Sequence, residues 1–203
     1  TLLLKKNGIT PDYVCGLSLG EYSALSAAGV FDPETAIQVV RERGLAMEKA
    51  AEGVESAMMA ILGLEREPLL DICVGCDGYV SIANYNCPGQ LVIAGEKKAV
   101  EEAGQKALDH GARRAVPLNT SGPFHTLLLK DASTRLHEVF KDVTFHEMNV
   151  PVIFNCTGKE LEDCSVQEML EKQVMSPVYF EDSIRTMLNS GVDTIIEIGP
   201  GKV

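Results

Sequence analysis

Apolar residues recur along the chain at two spacings, and the changes of spacing divide it into short strands and longer helices. Residues 1–9 (T-L-L-L-K-K-N-G-I) pass from apolar positions to Lys5 and Lys6 and stop at Asn7-Gly8, the pattern of a helix's closing turns. Residues 12–15 read as a strand, and Leu19, Tyr22, Leu25 and Ser26 set a helical period that ends at Gly29. Asp32-Pro33-Glu34 opens the next helix with an N-cap acid, a proline at the first helical position and an acid in the first turn. Ala36, Val39, Val40 and Met47 form its apolar side, with Arg41 and Arg43 along it.

The middle of the chain reads strand 56–62, helix 65–73, strands 80–83 and 90–94 across a turn-like N-Y-N-C-P-G, helix 97–110 closed by Gly111, and strand 114–118. This β-α-β-β-α-β order predicts a ferredoxin-like small subdomain, residues 55–118, inserted into a larger unit formed by residues 1–54 and 119–203. The last third predicts helix 126–140, strand 150–154, helices 165–174 and 177–189, and a buried strand 194–198 (T-I-I-E-I). Strands alternating with helices of this length argue for an α/β protein with a parallel sheet.

Composition narrows the function. The 203 residues carry 18 Lys+Arg against 29 Asp+Glu, a net charge of −11, which offers no net attraction for nucleic-acid phosphates. No apolar run approaches the roughly 20 residues of a membrane span. Six cysteines are too sparse for a disulfide scaffold and fit free thiols in a reducing cytoplasm. The chain starts at Thr1 without Met or a signal-peptide pattern and stops at Val203 just after a glycine turn, so it is expected to be a piece of something longer.

The strongest chemical signal is Gly16-Leu17-Ser18-Leu19-Gly20 between a strand and a helix. A nucleophile there sits on a tight turn that small flanking residues permit. The helix start offers backbone N–H groups, notably that of Leu19, to an oxyanion; the alternative is a glycine-bracketed serine used only as an N-cap. A serine needs a base, and among four histidines His110 closes a helix while His137 and His146 lie among charged neighbours. His125, in the stiff loop S-G-P-F-H, is the candidate base, and no Asp stands out as a third member. A plain esterase order, with the histidine near the chain end, fits poorly. Cys73-Val74-Gly75-Cys76 has C-x-x-C spacing, but no second ligand pair accompanies it for zinc, and a redox pair should open a helix rather than end one.

Five separated motifs, G-L-S-L-G-E-Y-S-A-L, R-E-R-G-L-A-M, N-Y-N-C-P-G-Q-L-V-I-A-G, S-G-P-F-H and E-I-G-P-G-K-V, resemble in order and spacing the malonyl-CoA:acyl carrier protein transacylases of bacterial fatty-acid synthesis, and much of the pattern is shared by acyltransferase domains of fatty-acid and polyketide synthases. The resemblance implies an α/β-hydrolase-like core split by the ferredoxin-like subdomain. It implies ping-pong transfer of a malonyl group from malonyl-CoA to the phosphopantetheine thiol of acyl carrier protein, with Ser18 as nucleophile, Leu19 in the oxyanion hole and His125 as base and then acid. The matching position for the backbone carbonyl that orients the histidine is Gln173. Arg43 matches the arginine that grips the free carboxylate, a task suited to a bidentate guanidinium. Arg41, two positions away, is expected to point elsewhere on the helix.

Asn84, Asn86 and Gln90 match the family's small lobe and either line the cleft or cap a turn. Phe124 resembles malonyl-selecting members, favouring an unbranched acyl group. No cofactor or metal is implied: coenzyme A enters as the substrate thioester, and phosphopantetheine arrives on the carrier. The expected partners are malonyl-CoA and acyl carrier protein, with neither nucleic acid nor membrane, in the cytoplasm. Docking an acidic carrier on an acidic protein calls for a local basic patch; Arg113, Arg114, Lys130, Arg135 and Lys141 are candidates, or else scattered solvated charges. Leu17 departs from the family's usual histidine, and the family's first strand, a second oxyanion donor and a closing helix are expected outside residues 1–203. A serine thioesterase or a catalytically incomplete fragment are the competing readings.

Overall fold

The structure, a computed structural model, describes residues 1–199, the Leu2 side chain excepted; Pro200 to Val203, the end of the E-I-G-P-G-K-V motif, lie outside the described residues. The fold is mixed α/β, with one parallel and one antiparallel sheet. After α1 (Leu2–Lys6), β1 (Val14–Cys15) pairs in parallel with β6 (Val152–Ile153), Val14 opposite Val152 and Cys15 opposite Ile153. Helices α2 (Leu19–Ala27), α3 (Pro33–Ala51), α6 (Lys130–Phe140) and α7 (Val166–Gln173) pack around this pair through Leu25, Val39, Leu136, Phe154 and Leu170. Asp32 Oδ1 caps α3 by accepting from the Glu34 and Thr35 N–H groups at 2.9 and 3.0 Å. Ser165 and Glu168 form a reciprocal capping box on α7.

The second sheet has the order β3-β4-β2-β5, entirely antiparallel, from β2 (Ser56–Leu62), β3 (Val80–Cys87), β4 (Gln90–Glu96) and β5 (Arg114–Leu118). Alternation along β2 sends Met59 and Ile61 into one apolar cluster with α4 (Arg66–Val74) and α5 (Lys97–Asp109), while Met58 and Ala60 face Phe124 on the other side. Both faces are therefore covered, which is why S-A-M-M-A-I-L shows no polar alternation. The second and third strands run longer than their apolar cores suggest: Asn84 to Cys87 belong to β3, not to a turn, and Pro88-Gly89 alone makes the reversal. Bulges after Ile82 and Tyr85 hide this strand from a period-two reading.

Two further differences have physical causes. Helix α8 (Phe180–Asn189) starts three residues later than predicted because Val178 is in the sheet: its N–H donates to Ala83 and its carbonyl accepts from Tyr85, both at 2.8 Å. Tyr179 stacks on Tyr85 at 4.8 Å, and Arg66 bridges to Glu181 and Asp182 at 2.9 Å, tying the antiparallel sheet to α8. Residues 194–198 do not form the predicted buried strand. No strand among the described residues pairs with them, and Ile195, Ile196 and Ile198 stay more than half exposed. No described helix is long and apolar enough to cross a membrane.

The close approach of β3 and β4 at Gly95 leaves no room for a side chain, since a Cβ there would overlap the Tyr79 carbonyl. Gly95→Ala is therefore expected to lower unfolding free energy by about 2 kcal/mol or more in chemical denaturation. Gly104→Ala, whose methyl meets the flexible end of Met59, should cost less.

Candidate active site

Ser18 occupies the turn from β1 into α2 with φ 52° and ψ −102°. It and His125, at φ 62°, are the only non-glycine residues with positive φ among the described residues, and they face each other. Of the two bracketing glycines, only the first is sterically demanded: a Cβ on Gly16 would overlap the Gly20 backbone, whereas one on Gly20 meets nothing within 4 Å. Ser18 Oγ lies 2.7 Å from His125 Nε2, and His125 Nδ1 lies 2.8 Å from the Gln173 carbonyl oxygen. A carbonyl only accepts, so Nδ1 carries the hydrogen and Nε2 presents its lone pair to the serine hydroxyl. The loop holding His125 is fixed by its own N–H, which donates to the Val174 carbonyl at 3.2 Å.

Arg43 comes from α3 and is only 6% exposed. Its Nη2 donates to Ser18 Oγ at 2.9 Å and, with Nε, to Gln173 Oε1 at 3.1 and 3.3 Å. Its guanidinium lies 5.4 Å from the Tyr22 ring centroid. No carboxylate lies within ion-pair distance of Arg43 among the described residues. A buried cation without an anion is costly, and the cost is recovered when an anionic ligand arrives. Gln173 Nε2 donates to the Ser18 carbonyl at 2.9 Å, orienting the peptide that carries the Leu19 N–H at the first position of α2. That N–H has no helical partner four residues back and is available to a developing oxyanion.

Electrostatics keep the site uncharged apart from Arg43. Burial, helped by the Arg43 charge, pushes His125 down to about 4 against the opposing hydrogen bond to Gln173, so the imidazole is a neutral acceptor across the neutral range. Glu21, fully buried beneath the turn, is pushed up to about 8, chiefly by burial, against the pull of Arg43. The cleft beside Ser18, about 520 Å³, is walled by Arg43, Met47, Ser121 and Phe124. Arg41 also lines it, contrary to the expectation that it points elsewhere; what separates the two arginines is burial, since the Arg41 side chain is 73% exposed and paired with Glu42.

Asn84 is buried on the face of β3 opposite α4 and α5, and Asn86 follows it, but neither is among the cleft walls. Cys73 and Cys76 lie at the end of α4, as the spacing suggested, and no group able to hold a metal occurs among the described residues. A larger groove between α3 and α6, about 670 Å³, holds none of Ser18, Arg43 or His125. Three participants escaped the sequence reading: Glu21, quoted only within a motif; Asn155, which follows β6; and the side chain, as distinct from the carbonyl, of Gln173.

A mixed α/β fold with a serine and histidine in contact at a strand-to-helix turn defines a class whose geometry suits a serine nucleophile and its base. Within that class, the chain belongs to the acyl transferase domain family, which it matches over residues 1–202. It is 47% identical over 98% of its length to the malonyl CoA-acyl carrier protein transacylase of Bacillus subtilis and spans 64% of that relative. Its structure superposes on the MCAT of Streptococcus pneumoniae with a TM-score of 0.93 at 43% identity, covering all of this chain and 67% of that one. It superposes equally on a malonyl-transacylase solved with its holo type II PKS acyl-carrier protein, with a TM-score of 0.94 at 38% identity, covering 98% of this chain and 66% of the other.

An NMR titration of the His125 ring should give a midpoint near 4, with the neutral Nδ1–H tautomer throughout the range above it. A midpoint at the ordinary histidine value would contradict the dry, cation-flanked environment described for it.

Proposed function

We propose that the chain carries the nucleophile and base of an [acyl-carrier-protein] S-malonyltransferase, which moves a malonyl group from malonyl-CoA to the phosphopantetheine thiol of acyl carrier protein. The observation that carries this reading is Arg43, a buried guanidinium without a carboxylate partner among the described residues, 2.9 Å from Ser18 Oγ. A malonyl group ends in a carboxylate two bonds beyond the carbonyl that Ser18 would attack, so a guanidinium beside the serine is within reach of it. The relatives named for malonyl transfer, and the neighbour solved with an acyl-carrier protein, support it.

In the proposed reaction His125 Nε2 takes the Ser18 proton as Oγ attacks the thioester carbonyl. The Leu19 N–H stabilises the tetrahedral oxyanion, and its collapse expels coenzyme A as a thiolate that takes the proton back from His125. The malonyl-serine ester then meets the carrier's thiol, which gives its proton to His125, attacks the ester carbonyl and leaves as the malonyl thioester; Ser18 regains the proton. The Gln173 carbonyl keeps Nε2 facing the serine, in place of an acid, and Arg43 clamps the malonyl carboxylate so that the thiol is positioned and stray water is not.

The finer architecture belongs to the same reading. Residues 1–54 and 119–203 would form an α/β-hydrolase-like core, supported by the parallel β1–β6 pair and the turn at Ser18, and residues 55–118 a ferredoxin-like insert, supported by the order β3-β4-β2-β5. Phe124, at the cleft wall, would favour an unbranched acyl group. For carrier docking, Arg113, Arg114 and Lys130 are the better candidates, because Arg135 and Lys141 already pair with Glu42 and Glu138 at 3.5 and 2.8 Å. No cofactor is called for, and the substrates place the reaction in the cytoplasm.

Incubating the intact protein with malonyl-CoA should add one malonyl mass to the Ser18 peptide, stable until carrier protein is supplied; rapid release of free malonate without carrier would favour a thioesterase. Arg43→Ala should slow malonyl transfer by about a hundredfold, roughly the 3 kcal/mol of a charge-assisted pair, while retaining acetyl transfer. An unchanged malonyl preference removes Arg43 from this role.

A further inference from the structure

Glu21 and Asn155 are fully buried, carry polar groups, and have no part in the proton transfers above. Asn155 uses every polar group it has. Its Oδ1 accepts from the Ser18 N–H at 2.6 Å, its Nδ2 donates to the Gly16 carbonyl at 2.8 Å, and its own carbonyl accepts from the Tyr179 N–H at 2.8 Å. Its remaining group, the main-chain N–H, donates to Glu21 Oε2 at 2.5 Å. Gly16 and Ser18 flank Leu17, so one amide side chain spans the sharpest part of the turn and grips it on both sides. Glu21 lies one turn into α2, directly after the glycine that Gly16 abuts.

The Ser18 backbone sits in a region of φ/ψ that a side chain disfavours, and such a conformation persists only where its surroundings over-determine it. The peptide after Ser18 is already held through its carbonyl by Gln173 Nε2. The peptide before it has its N–H tied to the Asn155 side chain. We infer that Glu21 and Asn155 are positioning residues: a buried clasp in which Glu21 fixes Asn155, and Asn155 holds the strained turn so that Ser18 Oγ meets His125 and the Leu19 N–H meets the oxyanion.

The clasp acts through hydrogen bonding, not charge. Burial pushes the Glu21 carboxyl up to about 8, so it is largely protonated at neutral pH and does not cancel the Arg43 cation that an anionic acyl group needs. Its second oxygen, Oε1, is buried without a hydrogen-bond partner among the described residues. A neutral amide oxygen in the same place should serve, which gives the test its conservative variant.

The proposal rests on Ser18 being the nucleophile, and the experiment separates the two. Single-turnover acylation of Ser18 by malonyl-CoA is measured by intact mass on the intact protein, as a rate at saturation and a half-saturating concentration, with a thermal melt on every variant. Asn155→Ala should cut the saturated rate at least 30-fold while half-saturation moves less than threefold. Glu21→Leu should cut it at least tenfold, and Glu21→Gln should recover to at least a fifth of the wild-type rate. A merely structural role would lower the melting temperature without this split between rate and half-saturation.

The clasp is overturned if Asn155→Ala acylates within threefold of wild type, if its loss appears in half-saturation instead of rate, or if Glu21→Gln is no faster than Glu21→Leu. Should the alanine and leucine variants not fold, Glu21→Gln decides alone: a saturated rate below a tenth of wild type overturns the proposal, and one above a fifth supports it with the melt unchanged or lowered. A wild-type protein that gains no mass at Ser18 refutes the nucleophile reading itself, and the clasp with it.

Discussion

The site depends on one buried glutamine at the end of α7. Gln173 accepts from His125 through its backbone carbonyl, accepts from Arg43 through Oε1 and donates to the Ser18 carbonyl through Nε2. Three segments distant in sequence, the turn after β1, the middle of α3 and the loop before α6, therefore meet at one residue with no exposed surface. Each bond satisfies a group that burial would otherwise leave costly, so the arrangement is held from every side at once. The helices around it are shaped to deliver those segments: α3 is capped at Asp32 and buries Arg43, and the capping box at Ser165 starts α7 in the register that brings Gln173 inside.

Burial also selects the charge state of each participant. His125 and Glu21 are driven toward their neutral forms, and Arg43, whose intrinsic basicity is far higher, keeps its charge. The result is a buried cluster with a neutral imidazole, a hydroxyl on a strained turn and a single cation, an environment that would suit the proposed acyl group ending in an anion. An acid partner for the histidine would have placed a second charge beside Arg43 and cancelled it. The backbone carbonyl orients His125 without doing so.

Much of this was legible in the sequence where a local rule sufficed. The cap at Asp32, the glycine stops, the βαββαβ order and the turn around Ser18 all follow from short-range chemistry, and all are found. What escaped depends on contacts between distant segments. Asn84 to Cys87 read as a turn because polar residues and a Pro-Gly pair obscure a bulged strand, and Val178 joins that strand only once the lobes are side by side. The apolar run 194–198 had the composition of a strand but has no partner among the described residues. Arg41 and Arg43 differ in burial, which helix spacing alone could not rank. Ser18 and His125 were legible from the glycine-bracketed turn and the stiff S-G-P-F-H loop, whereas Arg43 and the Gln173 carbonyl were reached through a resemblance; the Gln173 side chain, Glu21 and Asn155 had no local signal at all, since a buried glutamine or asparagine looks like any surface amide until its neighbours are known.

In the proposed reaction Gln173 acts on acyl selection by holding Arg43 through Oε1. A double-mutant cycle of Gln173→Ala and Arg43→Ala, read as the ratio of malonyl to acetyl transfer rates, tests it directly. Alanine keeps the carbonyl that orients His125, and any effect on the Ser18 peptide is common to both acyl groups and cancels in the ratio. Gln173→Ala is expected to lower the ratio in the wild-type background and to leave it unchanged when Arg43 is already alanine. Equal, additive effects in both backgrounds would contradict it.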